Sequence, residues 1–223
     1  MYLLEGNIGA GKSTFLKLLA HHLPVSVTFE PLHNWQQEAY GQSLLADFYT
    51  QPGRWAYTLE TLAMMARVRE HLVVQDQHNP HRIMERSVYS GYYCFAYNGY
   101  KNGSLTTIEW EIHNQWFSFL VGQYCKKPSG FIYLRVDPAI AYQRIQKRGR
   151  AAEKNLSLAY LQDIDSAHEN FLIKKADYIL PSLQDVPVLV LDCDQDFETN
   201  PQILQSHLDA VAKFIKLPIS ERG

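Results

Sequence analysis

Cysteine is scarce and scattered, with three in 223 residues at Cys94, Cys125 and Cys193 and no metal-ligand or disulfide-framework spacing among them. That pattern excludes a disulfide-stapled scaffold and suits a reducing compartment. Excess charge of either sign is also missing. Lysine and arginine total 21 against 23 acidic residues, a net of −2, so the balance calls for neither nucleic acid nor an anionic membrane as partner. No stretch approaches the roughly 18 uninterrupted apolar residues of a membrane span. Internal repeats and low-complexity tracts are absent. The first apolar run, Met1–Leu4, reads as strand and leads directly into a glycine loop, leaving no room for a signal ahead of it. The expectation is a soluble, cytoplasmic protein.

Hydrophobic residues make up 46% of the chain, enough for one substantial core and a single domain over 1–223. Short β-rich runs alternate with longer helical patterns, the signature of a parallel sheet wrapped by helices. Strands are expected at Tyr2–Glu5, Val25–Glu30, Arg82–Glu85, Gly130–Val136 and Pro187–Leu191. Helices are expected at Lys12–His22, Gln37–Tyr49, Arg54–Gln75, Val88–Tyr97, Thr106–Tyr124, Pro138–Lys147, Leu158–Lys174 and Pro201–Ile215. Asp137-Pro138 and Asn200-Pro201 each pair a capping side chain with a proline at the first helical position, where no amide donor is needed. Asn98–Ser104, with two glycines, reads as a loop.

Gly6-Asn7-Ile8-Gly9-Ala10-Gly11-Lys12-Ser13-Thr14 matches G-x-x-x-x-G-K-[ST] between a strand and a helix, the context this phosphate loop requires. Its glycines let successive N–H groups turn inward as an anion nest, and the following helix adds its positive end. Lys12 suits the β- and γ-phosphates of ATP, and Ser13 suits Mg²⁺. The loop alone implies nucleotide binding without naming what is phosphorylated.

Glu30-Pro31 closes the second strand, with Trp35 shortly after, and Glu85-Arg86-Ser87 closes the third. In a parallel sheet these ends open onto the crevice that holds the phosphate loop. Two carboxylates and an arginine there supply a base for an acceptor hydroxyl, a metal ligand and a cation to orient the nucleophile.

With these motifs the sequence resembles the deoxyribonucleoside kinase family. The resemblance is carried by G-N-I-G-A-G-K-S-T at 6–14, E-P…W at 30–35, Y…P-x-R-W at 49–55, E-R-S-V-Y-S at 85–90, R-x-x-x-R-G-R-x-x-E at 144–153 and D-F at 196–197. It implies a P-loop kinase fold of class α/β, with a five-stranded parallel sheet surrounded by helices and an arginine-rich lid at about 148–154. It further implies a homodimer built through a helix bundle. Glu30 would take the 5′-hydroxyl proton, Arg86 would orient it, and Glu85 would bind Mg²⁺ with Ser13. Tyr49 and Glu153 would hold the 3′-hydroxyl, while Trp55 and Phe95 line and stack on the base. Arg144, Arg148 and Arg150 would close over the transferring phosphate, and Asp196 and Phe197 would border the donor base. Trp110, Trp116, Phe117 and Phe119 recur near helical spacing and suit core or dimer interface. The histidines show no triad or metal arrangement and read as surface or capping residues.

Two base-reading positions depart from the family pattern. Glu60 stands where the family carries glutamine, and Gly91 where an aspartate is common. Arg67, seven residues after Glu60, shares its helix face. A carboxylate only accepts hydrogen bonds, whereas an amide also donates. Guanine offers two adjacent donors, N1–H and the 2-amino group, to a carboxylate, and its O6 and N7 match the fork of an arginine. Cytosine and adenine would leave an acceptor facing Glu60, at a cost of roughly 1–3 kcal/mol. Loss of the aspartate is expected to release Arg67 from a neutralising partner and to open space beside it. The expected activity is therefore γ-phosphoryl transfer from ATP to a deoxyribonucleoside with guanine preference. Broad or pyrimidine specificity is the alternative, followed by a nucleoside monophosphate kinase and a nucleotide-binding protein without chemistry.

Overall fold

The computed structural model describes residues 1–31 and 43–217. Trp35, and the expected helical start at 37–42, lie outside them. Five parallel strands form one sheet in the order β2-β3-β1-β4-β5, with β1 Tyr2–Gly6, β2 Ser26–Thr28, β3 Arg82–Glu85, β4 Gly130–Arg135 and β5 Val188–Asp192. The helices are α1 Lys12–His22, α2 Leu44–Thr50, α3 Pro52–Gln75, α4 Val88–Ser90, α5 Tyr97–Lys101, α6 Thr107–Tyr124, α7 Pro138–Arg148, α8 Leu158–His168, α9 Pro181–Gln184 and α10 Pro201–Phe214. Two π-helical segments, Gly91–Ala96 and Glu169–Ile173, extend α4 and α8.

Alternation along the strands decides the layers, because successive side chains leave a strand on opposite faces. Leu3, Met84, Phe131 and Tyr133 meet Met64 and Val68 of α3 and Phe117 of α6 on one side. Leu4, Ile83, Ile132 and Leu134 meet Phe15, Leu16 and Leu19 of α1 and Leu208 and Val211 of α10 on the other. Both sides of the sheet are buried, as parallel strands require. Truncating one such residue, for example Leu4 at 0% exposure, should cost about 2–5 kcal/mol. A third cluster, including Leu45, Phe48, Ala56, Leu59 and Ala63, fastens α2 to α3.

The caps form as the sequence suggests. Asp137 accepts from the Ala139 amide, and Asn200 accepts from Gln202 and Ile203. Thr106 and Glu109 add a reciprocal capping box to α6. Two expectations change. Asn98–Ser104 is helical through Lys101, because Tyr97 and Tyr100 pack on Trp110 with ring centroids 5.5 and 5.3 Å away. Tertiary packing there overrides the low helix propensity of glycine. The histidines are not all at the surface: His71, His113, His168 and His207 are buried. His168, for one, bonds the Ile164 carbonyl and stacks on Tyr133.

Candidate active site

The loop between β1 and α1 is shaped by its glycines. Gly9 and Gly11 have φ of +81° and +88°, and a Cβ there would stand 2.6 Å from the Ala141 carbonyl or 2.9 Å from the Phe197 ring. Asn7 pins the loop from within: its Nδ2 donates to the Leu161 carbonyl at 2.8 Å, and its Oδ1 accepts from Ile8. No acidic residue occupies the first turn of α1, so the helix's positive end stays unneutralised towards an anion. Lys12 folds onto its own loop and donates to the Gly6 and Asn7 carbonyls at 3.0 and 2.8 Å. Burial and the nearby Arg86 push its ammonium down to about 7. The Ser13 hydroxyl donates to Glu85 Oε1 at 2.7 Å, which joins the loop to the end of β3.

Glu30 follows β2 with its side chain 6% exposed. Arg86 Nε donates to its Oε2 at 3.1 Å, while Arg67 Nη2 and Nε donate to its Oε1 at 2.6 and 3.2 Å. Burial alone would raise the carboxyl, but Arg86, Arg67 and Lys12 together hold it below its ordinary value. Arg86 sits at φ +53°, rare for a residue with a side chain. Its amide donates to the Leu4 carbonyl, and the next amide, of Ser87, donates to buried Glu5. The Arg86 guanidinium lies 4.6 Å over the Phe95 ring.

These groups line one cavity of about 290 Å³, together with Tyr49, Glu60, Arg148, Arg150, Glu153 and residues of the phosphate loop. That volume is at the lower end of small-molecule pockets. Glu153 is 4% exposed and ion-pairs with Arg148 at 2.5 Å and Arg150 at 3.5 Å. Glu60 is 7% exposed and has no hydrogen-bond partner among the described residues. Burial pushes its carboxyl up to about 7, with Glu30 adding to the rise and Arg67 and Arg86 opposing it. A second cavity of about 160 Å³ adjoins the first, and Phe48, Tyr49, Glu60, Phe95 and Tyr160 line both.

Other expected residues stand apart from this cavity. Arg144 donates to the Cys193 and Asp194 carbonyls at 2.8 and 3.1 Å, which ties α7 to the end of β5. Trp55 packs beside the third core cluster under Arg54. Phe197 is a core residue beneath Gly11, in edge contact with Phe15, and Asp196 is exposed and caps the turn at Glu198. The release of Arg67 by Gly91 does not occur. Arg67 pairs with Glu30 instead, and its Nη1 fills the space at Gly91, 2.5 Å from where a Cβ would stand. Sequence reasoning missed Ala63, Phe48 and Tyr160 in the cavity wall. Ala63 was readable, because it falls between Glu60 and Arg67 on the same helix face. Tyr160 carries no spacing signal and arrives through the packing of α8 on Phe48 and Tyr49.

A sequence profile of the deoxynucleoside kinase family matches residues 3–216. The chain belongs to this family. It is similar to deoxycytidine kinase 2 of Gallus gallus, with 36% identity over 95% of this chain and 89% of that protein. It is also similar to mitochondrial deoxyguanosine kinase of Xenopus laevis, at 36% over 88% and 82%. Human mitochondrial thymidine kinase 2 aligns at 31% over 93% and 76%. The chain is accordingly an ATP-dependent deoxynucleoside kinase with the five-stranded α/β fold of the family. No helix among the described residues is long and apolar enough to cross a membrane.

Proposed function

We propose that this kinase phosphorylates the 5′-hydroxyl of a purine deoxynucleoside, with guanine preferred, and that Glu30 is its general base. The observation that carries the reading is one cavity in which Lys12 and Ser13 face Glu30, Arg86 and Glu60. Glu30 accepts the 5′-hydroxyl proton, and Arg86 holds the carboxylate in line. Tyr49 and Glu153 take the 3′-hydroxyl from the lid side, and Phe95 offers its ring to the base. Arg148 and Arg150 line the same cavity and neutralise charge on the moving phosphoryl group. Arg144 is bound to the Cys193 and Asp194 carbonyls and holds α7, whose end carries Arg148, against the end of β5.

The Ser13 hydroxyl and Glu85 carboxylate are hard oxygen donors 2.7 Å apart and fit Mg²⁺, which keeps most of its shell as phosphate oxygens and water. When bound, Mg²⁺ neutralises charge on the β- and γ-phosphates.

The guanine preference rests on Glu60, a buried carboxyl facing the cavity with no hydrogen-bond partner among the described residues. In its ionised form it accepts from N1–H and the 2-amino group. The test is kcat/KM for the four common deoxynucleosides and deoxyinosine with ATP. Deoxyguanosine should lead. Deoxyinosine, lacking the 2-amino group, should trail it by roughly the 1–3 kcal/mol of a charge-assisted hydrogen bond. A lead for thymidine or deoxycytidine that persists in Glu60→Gln would remove Glu60 from base reading.

The homodimer is supported by an apolar stripe at helical spacing on α6. Ile108, Ile112, Trp116 and Phe119 are exposed there, and Leu62 and Met65 are exposed on α3. Trp116→Glu should shift the sedimentation of the protein towards monomer. All three cysteines are free thiols, in keeping with a reducing compartment such as the cytoplasm.

A further inference from the structure

Glu30 is gripped from two sides. Arg86 comes from the end of β3 and takes Oε2, whereas Arg67 comes from the middle of α3 and takes Oε1 through two donors. All three side chains are only 5–7% exposed, so the contacts form away from solvent screening. Arg67 shares a helix face with Glu60, and both line the cavity. Gly91 is what admits the guanidinium to this place. A Cβ there would stand 2.5 Å from Nη1 and 3.7 Å from Cδ, so any side chain at 91 competes with Arg67 for its position.

We propose that Arg67 is a positioning residue for phosphoryl transfer: its Nε–Nη2 edge fixes the Glu30 carboxylate for the 5′-hydroxyl, so it governs turnover of every nucleoside and not only the choice among bases. This rests on the reading of Glu30 as general base. An arginine fork sets the plane of a carboxylate, whereas a lysine supplies charge without direction. The charged groups facing Glu30 are Arg67 from α3, Arg86 beyond β3 and Lys12 at the start of α1, with Glu60 two turns before Arg67 on the same face of α3.

The test measures kcat and KM for deoxyguanosine and thymidine in Arg67→Met, Arg67→Lys and Gly91→Ala, with Glu30→Gln run in parallel. In Arg67→Met, kcat should fall about 10–100-fold for both nucleosides, the scale of a misplaced catalytic group. The acid limb of kcat/KM should also move to higher pH, because a cation that favours the ionised carboxylate is gone. Arg67→Lys should restore the acid limb while recovering little kcat. In Gly91→Ala the methyl group displaces Nη1, so kcat should drop several-fold with the KM for ATP unchanged. That variant judges the proposal if Arg67→Met does not fold. An unchanged kcat with losses confined to KM or to base preference would overturn it and leave Arg67 as a base reader. If Glu30→Gln keeps full turnover, the general-base reading fails instead, and the two failures are distinguished.

Discussion

If Glu60 reads the base, as proposed, base preference should depend on pH. Its carboxyl titrates at about 7 because burial raises it more than Arg67 and Arg86 lower it. Near pH 6 about nine-tenths of the free enzyme carries the neutral acid, and near pH 8 about nine-tenths carries the carboxylate. The neutral acid has an O–H and can donate to the ring nitrogen of cytosine, while the ionised form can only accept and suits guanine. If each form serves only its own base, the deoxyguanosine-to-deoxycytidine ratio of kcat/KM rises by as much as about 100-fold between pH 6 and pH 8. Incomplete discrimination lowers this, but the direction stays. Lys12 also titrates at about 7, and Glu30 and Arg86 shape both rates. Those groups act on either nucleoside alike and cancel in the ratio. The assay is initial-rate kinetics on both nucleosides at five pH values, with Glu60→Gln as reference, because an amide does not titrate. A flat ratio in the wild type, or a slope that survives in Glu60→Gln, would refute the reasoning.

Glu30→Gln should lower kcat by roughly 10²–10⁴ with nucleoside binding nearly intact, as read by steady-state kinetics and calorimetry. Lys12→Ala should abolish measurable transfer while the far-UV circular dichroism spectrum stays native, since the loss is of charge at the β- and γ-phosphates. Glu60→Gln should also stabilise the protein at high pH. A carboxyl whose folded value lies at about 7 against an ordinary 4.5 binds more protons folded than unfolded, so wild-type stability falls as pH rises through that window. The gap corresponds to at most about 3 kcal/mol. Denaturant melts of the two proteins should therefore agree in this term below pH 4.5 and diverge to the variant's advantage by pH 8.

What the sequence made legible follows the range of the interactions involved. The phosphate loop is written in nine consecutive residues whose glycines answer local backbone demands, and Lys12–His22 and Arg82–Glu85 appear with the bounds expected. The caps at Asp137 and Asn200 are equally local. Glu30, Glu85 and Arg86 could be placed together because parallel strands end on one edge, a topological rule that needs no contact map. Arg67 shows where this reasoning stops. Its helix face was readable, but its partner was not, because Glu30 lies 37 residues away and the choice between base and carboxylate is settled by space. Gly91 leaves space beside the helix, and the long, charged Arg67 side chain occupies it. Trp55 and Phe197 follow the same logic from the other direction. Motif position marks them as ligand contacts, yet burying a large aromatic surface stabilises the fold by a few kcal/mol, and each ring packs against protein. Residues whose placement depends on packing volume are the ones whose neighbours a linear pattern leaves open.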